Sequence, residues 1–212
     1  MKRMTLLAKK EGLSTSDFRA YWAGPHAALA LGMDGIAKYT HNRVDKVLWA
    51  SGDRPAFDVD GIVELYFEGA EAMRLAQASP VGQKFIPADE PIFLKGWTLC
   101  VVETDGVEPA ERAVKVIVPF HASSQSRESL WRELLRIGDE TNTRVALNWT
   151  ASTARRERLW AEPNPPTGFI CVWLESVAKA HEAFEPSSGL RRFIEGHVSD
   201  AVAYLINELS IR

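Results

Sequence analysis

Short apolar runs of strand length recur along the chain, separated by stretches with helical spacing. Lys2 to Lys9 is the first run. Ser14-Thr15-Ser16-Asp17 then reads as a capping box, with Ser14 as N-cap and Asp17 three residues on. It predicts a helix from about Thr15 that restarts at Pro25 and reaches about Leu31. Ile36 to Val44 reads as a strand, Ser51-Gly52-Asp53-Arg54-Pro55 as a loop, and Val59 to Phe67 as the clearest strand. A helix from about Gly69 to Ala78, a short one from Pro80 to about Ile86, and a strand from Ile92 to Val102 complete the unit. The order is β-α-β-β-α-β.

The order then repeats. Val114 to Phe120 reads as a strand, Arg127 to Ile137 as a helix and Arg144 to Thr150 as a strand. The loop Glu162-Pro163-Asn164-Pro165-Pro166 takes the place of the Ser51 loop. Gly168 to Leu174, Val177 to Phe184 and Val202 to Leu209 follow as strand, helix and strand. Residues match across the copies: Ser79, Phe85 and Ile86 fall on Ser187, Phe193 and Ile194 at an offset of 108, as do Ile62 on Ile170 and Ala72 on Ala180. Upstream the offset is 110, which sets Tyr21 on Trp131 and Lys38-Tyr39-Thr40 on Asn148-Trp149-Thr150. Such drift is what loop-length changes between tandem copies produce. A polar hinge, Thr104 to Pro109, separates a unit at 1–104 from one at 110–212.

β-α-β-β-α-β is the split motif of ferredoxin-like folds. Helices cover one face of each sheet, and the other face needs a partner. A tandem copy supplies it, so the expected fold class is α+β, with two ferredoxin-like units packed sheet to sheet as a barrel around an internal space. Along Val59 to Phe67, side chains alternate between faces. Val59, Gly61, Val63, Leu65 and Phe67 suit packing under helices, whereas Asp60, Ile62, Glu64 and Tyr66 suit a mixed cavity. In the neighbouring strand Tyr39 and His41 share one face, and Lys38, Thr40 and Asn42 the other; which points inward stays open.

Composition narrows the function classes. The 212 residues are 46% hydrophobic and 25% charged, with net charge −3 and pI about 6.0. That balance suits a folded chain and lacks the basic footprint of a nucleic-acid binder. The longest strongly apolar stretch, Ala27 to Met33, is far shorter than a membrane span, and the first residues lack the apolar region of a signal peptide. A cytoplasmic protein with no membrane and no nucleic-acid partner is expected. Cys100 and Cys171 lie in apolar strands and read as buried, reduced thiols. No Gly-rich phosphate loop, Gly-x-Ser-x-Gly elbow or paired-ligand histidine spacing occurs, so no metal and no cofactor is expected.

The densest cluster of candidate chemistry is Phe18-Arg19-Ala20-Tyr21-Trp22-Ala23-Gly24-Pro25-His26-Ala27. On a continuous helix His26 and Trp22, four residues apart, share a face. A histidine beside an aromatic wall suits general acid–base work near neutral pH, and packing in the core is its structural alternative.

The pattern Phe18-x-x-Tyr21-Trp22-x-x-x-His26-Ala27, with Tyr39-x-x-Asn42 and Asp60-Gly61-Ile62-Val63-Glu64-Leu65-Tyr66-Phe67, resembles the EthD family of the dimeric α+β barrel superfamily. The resemblance covers about residues 4 to 95. It implies a catalytic role for His26, near the open end of a cavity. It also implies site roles for Asp60, as base or orienting partner, and for Trp22, Tyr39 and Glu64 in holding a substrate. The second half departs from the pattern: Arg136 stands where His26 does, Trp149 replaces Tyr39, and no acid matches Glu64. One functional cavity in the first half is expected.

Three readings follow from the resemblance. The first is a cofactor-independent enzyme of isomerase, dehydratase or decarboxylase type, acting by proton transfer on a small cyclic or aromatic oxygenated molecule. Its pH–rate limb would lie near the reference histidine pKa of about 6.5. The second is a carrier that holds an apolar ligand unchanged. The third is a haem-linked enzyme. A further homodimer is compatible with all three.

Overall fold

The computed structural model describes residues 1–109, 113–122 and 126–212. The first half runs β1 (Lys2–Lys9), α1 (Thr15–Tyr21), a π-turn (Trp22–His26), α2 (Ala27–Ala30), β2 (Ile36–Ala50) and β3 (Gly61–Phe67). It continues through α3 (Ala70–Ala78), a second π-turn (Val81–Phe85), α4 (Ile86–Phe93) and β4 (Leu94–Asp105). The second half runs β5 (Val114–Ala122), α5 (Arg127–Glu140), β6 (Arg144–Arg155), β7 (Gly168–Leu174), α6 (Val177–Ala183), α7 (Gly189–His197), β8 (Val198–Ser199) and β9 (Val202–Ser210). Residue 110, the expected start of the second unit, lies outside the described residues.

Each half builds a four-stranded antiparallel sheet, in the order β4-β1-β3-β2 and β9-β5-β7-β6. The edges join across the halves. β2 pairs with β9, Thr40 opposite Ser210, and β4 pairs with β6, Glu103 opposite Trp149. The eight long strands therefore close into a barrel that leaves none of them with an unpaired edge. An eight-stranded barrel is just wide enough for side chains to fill. Met4, Ile62, Cys100, Phe169, Cys171 and Tyr204 fill it, so the internal space expected between the sheets is packed. The helices lie outside, over two further cores: Phe18, Trp22, Val63, Leu65 and Phe93 in the first half, and Leu130, Leu134, Val172 and Phe193 in the second.

The faces of β3 follow the alternation. Val63, Leu65 and Phe67 pack under helices, while Ile62, Glu64 and Tyr66 turn inward. Val59 and Asp60 precede the strand, and Val59 joins the interior cluster with Phe57. On β2 the open question resolves with Tyr39 and His41 under the helices and Lys38 inward. Ile92 is the penultimate residue of α4 rather than the start of a strand, and α7 is a helix with no counterpart in the sequence reading of the second half.

The repeat alignment slips by one residue at the third strand. β3 and β7 each begin at a glycine and run seven residues, which sets Ile62 on Phe169 and Glu64 on Cys171. The offset of 108 instead matches Ile62 to Ile170, yet Ile62 faces the interior and Ile170 the helices. A shift of one residue moves a strand's side chains to the other face. Tyr39 lies opposite Leu65, and Val145 opposite Val172, so Val145 rather than Trp149 occupies the place of Tyr39.

Candidate functional site

The helix that carries the site starts where its cap requires. The Asp17 N–H donates to Ser14 Oγ at 3.0 Å. The chain does not restart at Pro25. It widens into the π-turn, where the Ala27 N–H reaches the Trp22 carbonyl, and the wider turn accommodates Pro25, which has no N–H to donate. Both Trp22 and His26 are thereby buried. The Trp22 ring stacks on His41 with centroids 3.9 Å apart and planes at 14°. Gly61 makes this possible, because a Cβ there would stand 2.5 Å from the Trp22 ring.

His26 is 7% exposed. Its Nδ1 lies 2.8 Å from Asp89 Oδ2, and the Tyr21 hydroxyl donates to Asp89 Oδ1 at 2.7 Å. Asp89 sits on α4, whose Phe93 packs against the imidazole at 4.8 Å. Burial lowers the His26 pKa below its ordinary value and outweighs the raising effect of Asp89; the charge of Arg156 lowers it further. The ring is thus neutral near pH 7. The carboxylate, an acceptor only, assigns the proton to Nδ1. Nε2 keeps its lone pair and has no hydrogen-bond partner among the described residues.

Around His26 is a cavity of about 30 Å³, also lined by Arg3, Thr5, Tyr39, Glu90 and Trp97. Arg3 has no hydrogen-bond or ion-pair partner among the described residues, and its Nε is shielded from solvent. Burial pulls the Arg3 pKa down to about 10, with the charge of Arg156 acting the same way. Burial likewise raises the Tyr39 phenol, so Tyr39 stays a donor. Glu90 is clamped by Arg156 through bonds of 2.8 and 3.3 Å, and the Arg156 guanidinium lies over the Trp97 ring at 4.6 Å. A neutral imidazole base, a phenol and an unpaired guanidinium therefore border one small space.

The sequence candidates separate. His26 and Tyr39 meet at the cavity, and Trp22 lies behind it against His41. Asp60 stands at the entry to β3, where it accepts the Lys9 N–H at 2.8 Å, and Asp89 takes the orienting place at His26. Glu64 lies on the opposite face of the sheet, inside the barrel. Its carboxylate pairs with Lys2 at 2.9 Å and Lys115 at 2.6 Å, in a network that reaches Glu108, Glu208 and Tyr66. Burial alone pushes the Glu64 pKa up, but Lys115 and Lys2 outweigh it and hold the group well below the usual carboxylate range. In the second half, Arg136 is exposed and pairs with Glu140, and His197 binds the Phe193 carbonyl and Glu133. Tyr21 stood in the local pattern around His26 without a role assigned to it; Arg3, Asp89, Glu90 and Arg156 had no sequence signal as site residues, because their partners are distant in the chain. Among the described residues, no group of three or more His, Cys, Asp or Glu side chains is placed to hold a metal, and no helix is long and apolar enough to cross a membrane.

Residues 10–96, which span the Tyr21–His26–Asp89 arrangement, match the EthD domain. The match to the EthD domain is confined to the first half of the chain. Solved structures match nearly the whole chain. An anthrone oxidase-like protein does so with TM-score 0.64 and 10% identity over 99% of this chain and 92% of that one. A chlorite dismutase variant from Candidatus Nitrospira defluvii matches with TM-score 0.51 and 8% identity, over 97% and 90%. At such identities the likeness shows the fold, that of the dimeric α+β barrels, and leaves the chemistry of the first half to its own residues. No functionally curated protein matches the chain.

Proposed function

We propose that the first half of the chain catalyses proton transfer next to a carbonyl of a small cyclic or aromatic oxygenated compound, without a cofactor. The observation that carries this reading is His26, which lines the cavity with Nδ1 held by Asp89 and with Nε2 left without a hydrogen-bond partner among the described residues. His26 takes the proton through Nε2. The developing oxyanion meets Tyr39 and the unpaired Arg3, donors that need no reorganisation as charge appears. Tyr21 and Asp89 hold the imidazole in its tautomer and stabilise its protonated form. Returning the proton to another carbon gives isomerisation, and passing it to a departing β-hydroxyl gives dehydration with release of water. For a β-keto carboxylate no proton is taken first: CO₂ departs, the enolate left behind meets the same donors, and protonated His26 delivers a proton to its carbon.

A haem-linked reaction suits these residues less well. A macrocycle needs a flat slot beside its axial ligand, and the space at His26 is about 30 Å³, bordered by Glu90 and Trp97. The buried free thiols Cys100 and Cys171 accord with a reducing, cytoplasmic setting. Since one chain closes its own barrel, a homodimer would join outer surfaces rather than complete the site. Deuterium uptake from D₂O next to the carbonyl of 1-tetralone, followed by proton NMR, tests the reading. Wild type is expected to accelerate uptake and His26→Ala to lose the effect. A wild type that binds the ketone without accelerating uptake would favour a carrier.

A further inference from the structure

The run Arg155-Arg156-Glu157-Arg158 reads in the sequence as a solvated charge cluster. In the fold it forms one wall of a groove of about 510 Å³, with Lys84, Pro87 and Leu159 among the other lining residues. Its charged lining is Lys84, Arg155, Arg156 and Arg158 against Glu157 alone. Arg155 and Arg158 have no ion-pair partner among the described residues. A small-molecule site commonly measures some 300–1,000 Å³; the groove falls in that range, whereas the cavity at His26 has room for no more than the reacting edge of a ring.

The two spaces share their dividing wall. Arg156 lines the groove while its guanidinium clamps Glu90, which lines the cavity. Pro87 and Ala88 of α4 face the groove, and the next residue, Asp89, holds His26. A ligand body lying along α4 therefore has the histidine on the far side of one ion pair. That pair is itself a carboxylate on an arginine, so an incoming carboxylate offers Arg156 an equivalent partner. Pro87, Ala88 and Leu159 supply apolar surface for a ring beside the charges.

We propose that this groove binds the anionic end of the substrate, a cyclic or aromatic carboxylate held by Arg155, Arg156 and Arg158 with its ring edge directed past Glu90 toward His26. The direction toward His26 rests on the proton-transfer reading; the carboxylate site does not.

Titration calorimetry at low salt with 2-naphthoate and its uncharged analogue 2-naphthamide tests the proposal. Wild type is expected to bind the carboxylate about tenfold more tightly than the amide. The double variant Arg155→Gln/Arg158→Gln should lose most of that difference with its melting temperature unchanged, since both residues are exposed. Lys46→Gln/Lys179→Gln, which removes two charges elsewhere, should keep it. Equal affinity for the two probes in wild type overturns the proposal. So does a carboxylate affinity unmoved by the arginine variant, or lost equally in the lysine variant. His26→Gln separates the two ideas. If it retains the carboxylate preference while wild type fails to exchange 1-tetralone protons, the proton-transfer reading falls and the anion site stands. If exchange depends on His26 but the arginine variant leaves naphthoate binding unchanged, the groove falls and the proton-transfer reading stands.

Discussion

Asp89 Oδ2 lies 2.8 Å from His26 Nδ1, across 63 residues of chain. This pairing leaves Nε2 of His26 as the atom with unspent hydrogen-bonding capacity. His26→Ala is expected to lower kcat/KM about 10²- to 10⁴-fold, the usual range for a positioned proton-transfer group. Asp89→Asn should lower it less, since an amide oxygen can still accept from Nδ1. Steady-state kinetics on any compound that passes the deuterium test checks both.

The pH dependence follows from the direction of the His26 shift. Burial lowers its pKa, so the base form persists below the ordinary histidine value of about 6.5. The acidic limb of kcat/KM should lie below that value rather than near it. Asp89 pulls the pKa up, so Asp89→Asn should move the limb lower still. A limb at or above 6.5 in wild type would argue against this environment for the base.

Gly61→Ala places a methyl group 2.5 Å from the Trp22 ring, which is already stacked on His41. Overpacking of this kind costs about 1–3 kcal/mol. Denaturant unfolding should show that loss. Combining the change with Trp22→Leu, which makes room for the methyl, should recover part of it.

Glu64 lies inside the barrel between Lys2 and Lys115. Glu64→Gln leaves two buried ammonium groups without their shared anion, a change that costs about 3–5 kcal/mol. For a chain of this size that lowers the melting temperature by about 10 °C. The folded-state pKa is depressed, so the stabilisation is present above the ordinary carboxylate range and is lost as pH falls through and below it. Melts from pH 7 to pH 3 should therefore fall more steeply for wild type than for Glu64→Gln.

Tyr39→Phe removes a donor from the cavity without changing the apolar contacts of the ring. Loss of one oxyanion donor typically costs about 10²–10³ in kcat. KM should change little if the bond forms mainly in the transition state.

By itself the sequence determined the order of the eight long strands and, α7 apart, of the helices between them, as well as the tandem repeat, the cap at Ser14 and the faces of β3 from Ile62 to Phe67. Each depends on neighbours within a few residues, where alternation, helical spacing and capping chemistry act. It also marked His26 and Tyr39, which sit in a dense local pattern. Only the tertiary structure decided what surrounds them. Asp89, Glu90 and Arg156 come to the site from a helix and a strand end far along the chain, and no local period announces such an encounter. The sheet likewise separated Glu64 from His26, because alternate residues of a strand face opposite sides and the helices cover just one of them. The repeat offset failed at the same level: a match of residue types tolerates a slip of one position, whereas a pleated strand does not.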